Sequence, residues 1–457
     1  MSTKSDIFNR VIIECDRCKA KLRVPTGKVG VIECPRCQLE FNADTRDDND
    51  LTNCDRPKEY DVVLGGESLI PFNSAVLGGL EGVKYRLKSD DINIQTAALS
   101  EAINYGKKGF DLLMETINHV DIQAQVFAYK LLQNHNNDQK VQQFIENFNH
   151  FKLFSCNAVL QGHLDYISSI VISSDDKTIA SCGQDKSIRI WDVKTGELLK
   201  TLTGHSDWIH SIKLTKGNKS IVSCSSDKTI KFWDLKSGQI IKNIECEQGV
   251  STIAINQNED MVISGNEKGD IEVWDFQTGE LLSTSEGHID YISSIAMRFD
   301  DNIIVSGSYD FSISAWYLVR ENKVEDEYIT LLQYLYINNA HSDYVTSVSI
   351  NPKKNIIISG SCDETIKIWC LYTGELLKVL KEHTDIVTSL SISQDGKFII
   401  SGSCDKTIKI WNFSTGELLH TIENSLDNIH SVAISSQNNI ILTGSKNEIR
   451  LWELNVN

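Results

Sequence analysis

A short strand-like run ending in tryptophan occurs seven times in the C-terminal two-thirds of this chain, as KSIRIW, KTIKFW, GDIEVW, FSISAW, ETIKIW, KTIKIW and NEIRLW. The tryptophans are Trp191, Trp233, Trp274, Trp316, Trp369, Trp411 and Trp452, and the successive gaps are 42, 41, 42, 53, 42 and 41 residues. A fixed period of this length means that one supersecondary unit is copied, and that each copy buries its apolar face against its neighbours. In the first copy, YISSIVIS, TIASCG, SIRIWDV and ELLKTL alternate apolar and polar residues and read as four strands. Pieces such as SSDDK, NPKK and SQDGK between strands carry turn chemistry. The one long gap places extra residues between Trp316 and His341. It predicts an elongated hairpin on one end of the unit, with Leu332, Tyr334 and Tyr336 alternating along one side.

A Gly-His dipeptide precedes some units (Gly162-His163, Gly204-His205, Gly287-His288), and Trp-Asp closes three of the strands at Trp191, Trp233 and Trp274. With the period, these dipeptides make residues 151–457 resemble the WD-repeat family. The resemblance implies a mainly β fold: a seven-bladed propeller of four antiparallel strands per blade around a central channel. Little chain follows Trp452, too little for the outer strand of a last blade. The stretch FSCNAVLQGH at 154–163 aligns with ELLKTLTGH of an ordinary unit. The first strand is therefore expected to close the ring by pairing with the last blade, which removes two open sheet edges.

Five units each hold a Ser, a His and an Asp at fixed offsets from the tryptophan: His163, Ser181, Asp185 and Trp191; His205, Ser223, Asp227 and Trp233; His288, Ser306, Asp310 and Trp316; His341, Ser359, Asp363 and Trp369; His383, Ser401, Asp405 and Trp411. One such set alone would suggest a nucleophile, its base and an orienting carboxylate. A catalytic site needs one cleft and one oxyanion hole, whereas this set is copied five times, which favours a structural role. The family resemblance implies a buried hydrogen-bond network. The third unit has Glu247-Gln248 for Gly-His and Lys268 for Asp, and the seventh lacks the His and has Lys446 in the turn. These two blades are expected to rely mainly on apolar packing. Cys182, Cys224, Cys362 and Cys404 beside the serines read as small buried residues.

The resemblance also places the His loops and Asp turns together on one end of the propeller. There Asp165-Tyr166, Asp207-Trp208, Asp290-Tyr291, Asp343-Tyr344 and Asp385-Ile386 would ring the channel mouth, with Gln184, Ser226, Tyr309, Cys362 and Cys404 completing the surface. Aromatics among carboxylates suit a partner segment bearing Lys or Arg. The aspartates alone also have a plainer reading as turn formers.

The N-terminal part differs in chemistry. Cys15, Cys18, Cys34 and Cys37 form two CxxC pairs, the ligand spacing of a tetrahedral Zn²⁺ site. Residues 1–42 resemble small bacterial zinc ribbons. So little apolar core lies there that metal would supply the folding energy. Four thiolates leave no open position, so the zinc is expected to be structural rather than catalytic. Residues 43–60 are acidic and aperiodic and read as a linker. Residues 61–150 turn helical in period from about residue 91, four short helices resembling HEAT-like repeats. Gly78, Gly79 and Gly82 do not make a phosphate loop, because Val83 precedes Lys84 and Tyr85 follows it. The order of modules looks like that of cyanobacterial WD-repeat proteins.

The net charge of −17 argues against a chain that tracks a nucleic-acid backbone as a whole. Residues 1–42 carry eight Lys/Arg and five Asp/Glu, a balance that a zinc tetrathiolate leaves nearly neutral. No run of apolar residues is long enough to span a bilayer, and the first residues lack a signal core. A cytoplasmic protein is expected, with cysteines bound to metal or buried rather than in disulfides. No singular constellation points to an enzyme. The expected function is a non-enzymatic protein–protein interaction scaffold. The alternative is a nucleic-acid-associated regulator acting through the zinc ribbon.

Overall fold

The computed structural model describes residues 79–298, 302–323, 326–423 and 427–454, together with strand segments nearer the N-terminus. The chain divides into two compact units, Phe154–Leu454 and the part before it with the last three residues.

Among the described residues, the larger unit consists of seven four-stranded antiparallel sheets. In the first, Ile167–Ile172 is innermost, followed outward by Thr178–Gly183, Ser187–Asp192 and Leu198–Thr203. Five more sheets repeat this order. The seventh is built from Ser431–Ile434, Ile440–Gly444 and Glu448–Glu453, and its outer strand is Ser155–Gln161 from the start of the unit. That strand pairs antiparallel with register Ile449↔Leu160 and Arg450↔Val159. Ring closure is therefore the one expected from the alignment of residues 154–163.

The apolar positions of each blade meet those of the next. Ile167, Ile170, Ile179 and Trp191 of blade one pack with Ala433, Leu442, Ile449 and Leu451 of blade seven and with Leu160 of the closing strand. The same pattern joins blades one and two through Ile188, Ile190, Ile209, Ile212 and Trp233. The seven repeat tryptophans are all buried, and burying each large ring stabilises the ring by about 2–3 kcal/mol. The Gly-His dipeptide follows from this packing. A Cβ on Gly162 would meet Trp191 Cη2 at 2.9 Å, and one on Gly287 would meet Trp316 Cζ2 at 2.6 Å. The glycine is the space into which the tryptophan fits.

A second device joins the blades near the channel. The innermost strand bulges after its first residue, as between Ile167 and Ser169 or Val387 and Ser389. The residue in the bulge carries a hydroxyl in five blades. It donates to a carbonyl at the start of the next blade, the first strand residue for Ser168 to Ile209, Ser251 to Ile292, Ser293 to Val345 and Thr346 to Val387, and two residues before the strand for Thr388 to Ile429. The hydroxyl one residue further on accepts a backbone N–H from the next blade, as Ser389 does from Val432 at 3.1 Å and Ser431 from Ile170 at 3.1 Å. In blade two the bulge residue is His210 instead, and in blade seven His430 precedes an inner strand, Ser431–Ile434, that pairs without a bulge.

The residues between Trp316 and His341 form the elongated hairpin, Ile313–Lys323 with Asp326–Ile337, paired out to Lys323↔Asp326. Leu332 and Tyr336 are exposed, while Tyr334 is half-buried and stacks on Tyr317 at 4.2 Å.

In the smaller unit five α-helices are described, Gly79–Arg86, Ile92–Ala102, Lys107–Thr116, Ile122–Asn134 and Gln139–Asn147. This is one more than the periodicity shows, because the first helix is short and glycine-containing. Gly79 and Gly82 are buried residues of that helix, consistent with setting aside a phosphate loop there. Asp91, Asp121 and Asp138 cap three of the helices, each carboxylate accepting a backbone N–H two residues on. Val83, Leu99, Leu113, Ile117, Leu132 and Val141 are its fully buried core. Nearer the N-terminus, Arg10–Glu14 pairs antiparallel with Lys21–Pro25, and Val29–Glu33 with Glu40–Asp44. The last of these strands runs two residues past the boundary expected at residue 42. Cys15, Cys18, Cys34 and Cys37, and residues 45–60 of the expected linker, lie outside the described residues.

Candidate functional site

The repeated Ser-His-Asp sets come together inside each blade. His163 places Nδ1 2.8 Å from Asp185 and Nε2 2.8 Å from Ser181 Oγ, and Trp191 Nε1 donates to the same oxygen at 3.0 Å. The corresponding distances are 2.7, 2.8 and 2.8 Å around His205, and 2.9, 2.7 and 2.9 Å around His341. Around His383 they are 2.7, 2.7 and 2.9 Å. His288 keeps Asp310 at 3.0 Å and Ser306 at 2.5 Å, but Trp316 Nε1 has no partner there. With the proton on Nδ1, the imidazole donates to Asp and accepts from Ser, while Ser accepts from Trp. Outside the His288 set, every polar atom of the hydrogen-bond chain is then used.

The electrostatics agree with a structural role. Burial works to raise the Asp185 carboxyl, but the hydrogen bond and charge of His163, with the Leu164 N–H and Ser187, hold it well below the usual carboxylate range. The same opposition, with the paired histidine and Ser312, Thr365 or Thr407, acts on Asp310, Asp363 and Asp405 with the same outcome. Burial pulls the His205 and His341 imidazoles below their ordinary pKa in spite of Asp227 and Asp363. Ser181, Ser223, Ser306, Ser359 and Ser401 are 0% exposed. A hydroxyl that no substrate reaches cannot act as a nucleophile, so the sets brace the blades.

The two divergent blades depart from apolar packing alone. In blade three, Ser264 still accepts from Trp274 Nε1 at 2.8 Å, but it donates to Glu272 at 3.1 Å. Asn266 Nδ2 bridges Asp270 and Glu272 at 3.1 and 3.4 Å. Glu272 stands two residues before the tryptophan, where blades one and two have Arg189 and Lys231 and blade four has Ser314. Its side chain fills the role of the missing histidine, and burial raises its carboxyl pKa. In blade seven Thr443 replaces the serine and accepts from Trp452 at 3.3 Å.

The loops bearing the histidines lie at one end of the ring, together with the turn aspartates they bond. On this end Tyr166, Trp208 and Tyr344 are 36%, 46% and 42% exposed. Tyr291 is only half-exposed, stacked on Tyr309 at 4.9 Å, which in turn stacks on Tyr344 at 4.4 Å. His210 stands edge-on between Trp208 at 6.5 Å and Tyr291 at 6.4 Å. An aromatic arc thus runs from blade two to blade five. Tyr166 is apart from it, edge-on to His430 at 4.9 Å with Lys446 over its face at 5.9 Å.

Asp165, Asp207, Asp290, Asp343 and Asp385 each accept the N–H of the residue that follows, at 2.7–2.9 Å. Each of these bonds uses Oδ1 and leaves Oδ2 unengaged. Gln184, Ser226, Tyr309, Cys362 and Cys404 donate their N–H to the aromatic or aliphatic residue of their own blade, as Tyr309 does to Tyr291 at 3.0 Å. Cys182 and Cys224 are fully buried, but Cys362 and Cys404 are half-exposed in the turns. Their reading as buried residues is corrected, because they fall one step beyond the strand ends. Sequence reasoning also passed over Leu164 and Ile289, directly after the histidines, which are 85% and 90% exposed on the same rim. Their signal was an apolar residue where other units have Ser or Thr.

At the other end of the channel a cavity of about 350 Å³ is lined by Ile172, Ser173, Ser349, Pro352, Gln394, Ser435 and neighbours. No ionisable side chain is in that lining, so it supplies neither acid, base nor cation. Among the described residues no group of His, Cys, Asp and Glu is arranged to hold a metal. No helix among them is long and apolar enough to cross a membrane.

Comparison with known proteins agrees with this geometry. A β-propeller family model described as WDR41 matches residues 133–307. The WD domain, G-beta repeat model matches residues 332–370, 374–412 and 416–453. Protein ROOT INITIATION DEFECTIVE 3 of Arabidopsis thaliana is 31% identical over 133 residues, covering 28% of this chain and 30% of that protein. Cell division control protein 4 of Candida albicans is 35% identical over 100 residues, covering 22% and 13%. The small ribosomal subunit protein RACK1 of Schizosaccharomyces pombe is 31% identical over 99 residues, covering 21% and 29%. The match thus spans less than a third of each of these relatives. This chain carries WD40 repeats, closed into a seven-bladed β-propeller.

Proposed function

We propose that this protein is a non-enzymatic scaffold that holds a partner protein segment bearing Lys or Arg on the propeller end that carries the histidine loops. One observation carries the reading: the aromatic arc from Trp208 through His210, Tyr291 and Tyr309 to Tyr344, set among five turn aspartates. Exposed aromatics offer large contact area at little entropic cost, and carboxylates at a concave mouth favour a cation more than on a flat surface. Similarity to WD40 propellers such as RACK1 supports a scaffold role in general.

The test is partner capture from cells with wild type and variants. Trp208→Ala and Tyr166→Ala should each weaken capture by about 1–3 kcal/mol, the range of interface hot spots. Both side chains lie outside the Ser-His-Asp-Trp sets, so folding should be unchanged. Full retention of partners by the Trp208/Tyr166 double variant would overturn the reading.

We also propose a structural Zn²⁺ on Cys15, Cys18, Cys34 and Cys37, in a module resembling zinc ribbons. Its support is the ligand spacing, two CxxC pairs in the first forty residues. The helices after it are read as a HEAT-like module and the protein as cytoplasmic.

A further inference from the structure

Blades three and seven depart from the ring of aromatic and aliphatic side chains at the channel mouth, and blade three does so with a glycine. In blades one, two, four, five and six the turn residue donates its N–H to Tyr166, Trp208, Tyr291, Tyr344 or Ile386. In blade three the same bond runs from Glu267 N to Gly249 O, at 3.1 Å. Gly249 is therefore the register equivalent of the aromatics, and it leaves a notch between blades two and four. A Cβ built on Gly249 would fall inside contact distance of the Glu267 carboxylate, so the carboxylate lies over the glycine.

The surroundings of this carboxylate are unusual for an exposed glutamate. Ser226 donates to it at 3.0 Å, and His210 Nε2 lies 2.6 Å from the same serine oxygen. Trp208 and Tyr291 flank His210 on either side. Burial holds the His210 imidazole below its ordinary pKa despite Glu267 and Asp207, so at neutral pH it is an uncharged wall. Glu267 itself is exposed, and no salt bridge satisfies it among the described residues. The notch thus combines a fixed negative charge seated directly on the glycine with aromatic side walls.

We infer that the blade-three notch, floored by Gly249 and walled by Trp208, His210 and Tyr291, is an arginine-side-chain pocket in which Glu267 pairs with the guanidinium of a partner segment. This rests on the reading of this end as the partner-binding face and names the group it recognises. A guanidinium is planar, stacks on aromatic faces and forms two parallel bonds with a carboxylate. A compact ammonium uses only the charge.

The test uses the full chain and three pools of capped nonapeptides, with arginine, lysine or citrulline at the centre and uncharged randomised flanks. Wild type is expected to retain the arginine pool at least tenfold better than the citrulline pool, and better than the lysine pool. Glu267→Gln should abolish the preference over citrulline. Gly249→Ala, which displaces the carboxylate, should reduce it. Melting temperatures should show both variants folded; should Gly249→Ala not fold, Glu267→Gln decides alone. An arginine preference that survives Glu267→Gln overturns the pocket, and if Tyr166→Ala weakens the same capture, the partner-binding face stands without it. Equal capture of lysine and arginine pools overturns the guanidinium assignment. Capture by wild type of none of the pools overturns the pocket, and the binding face then falls or stands by the cellular capture described above.

Discussion

At the residue scale, the five Ser-His-Asp-Trp sets make stability depend on acid in one direction. His205 and His341 have folded pKa values below the unfolded value of about 6.5. The unfolded chain therefore binds more protons as pH falls through 6.5, and stability drops with it. Asp185, Asp310, Asp363 and Asp405 are depressed as well. Their contribution is fully present above the unfolded value of about 3.9 and is lost below it. Thermal unfolding should thus show decline beginning near pH 6.5 and steepening below pH 4; a melting temperature flat from pH 7 to 4 would contradict it. His205→Ala at pH 7 should cost about 2–4 kcal/mol, since it strands Asp227 and Ser223 in a buried site. These sets were readable because each residue recurs at a fixed offset. Glu272 was not readable, because its role depends on a side chain reaching into the space of an absent histidine.

At the scale of elements, the strand Ser155–Gln161 is the one whose loss is informative, because among the described residues it alone pairs with that side of Glu448–Glu453. A chain beginning at residue 151 should fold and melt cooperatively. A chain beginning at residue 163 should expose the edge of Glu448–Glu453 and aggregate or lose cooperativity. Light scattering and calorimetry distinguish the two, and identical behaviour would refute the closure as a stabilising device. Period and alternation made the blades and the long hairpin legible in advance. The hydroxyl pairs on the inner strands, as in ISSI, VSTI and VTSV, were just as visible but carry no meaning until the bulge aims them at the next blade. The glycine-containing first helix was missed for the opposite reason: eight residues give too little period to read.

For the whole molecule, the two compact units predict separable responses. If zinc organises the N-terminal module, purified protein should contain about one Zn²⁺ per chain. Cys34→Ser should then lower the metal content and leave the main propeller transition in place. Zinc-free protein, or zinc fully retained after removal of residues 1–42, would refute the site. Propeller and repeat number were legible throughout the C-terminal part, because seven copies average out local exceptions. The binding face was legible only in outline. The aromatics stood out by position, but Gly249 gains meaning only when its backbone bond shows which tyrosines and tryptophan it replaces.

The closing strand also sets a timetable for the chain during its synthesis. Ser155–Gln161 emerges first among the propeller strands, and its partner Glu448–Glu453 nearly last. At about 5–20 residues per second, the ribosome needs on the order of 15–60 s to make the stretch between them. For that interval the early strand waits with an unsatisfied edge while blades one to six assemble beyond it. Folding of this ring therefore ends on the first strand of the propeller, and a pause in translation anywhere along the repeats lengthens the exposure of one particular edge.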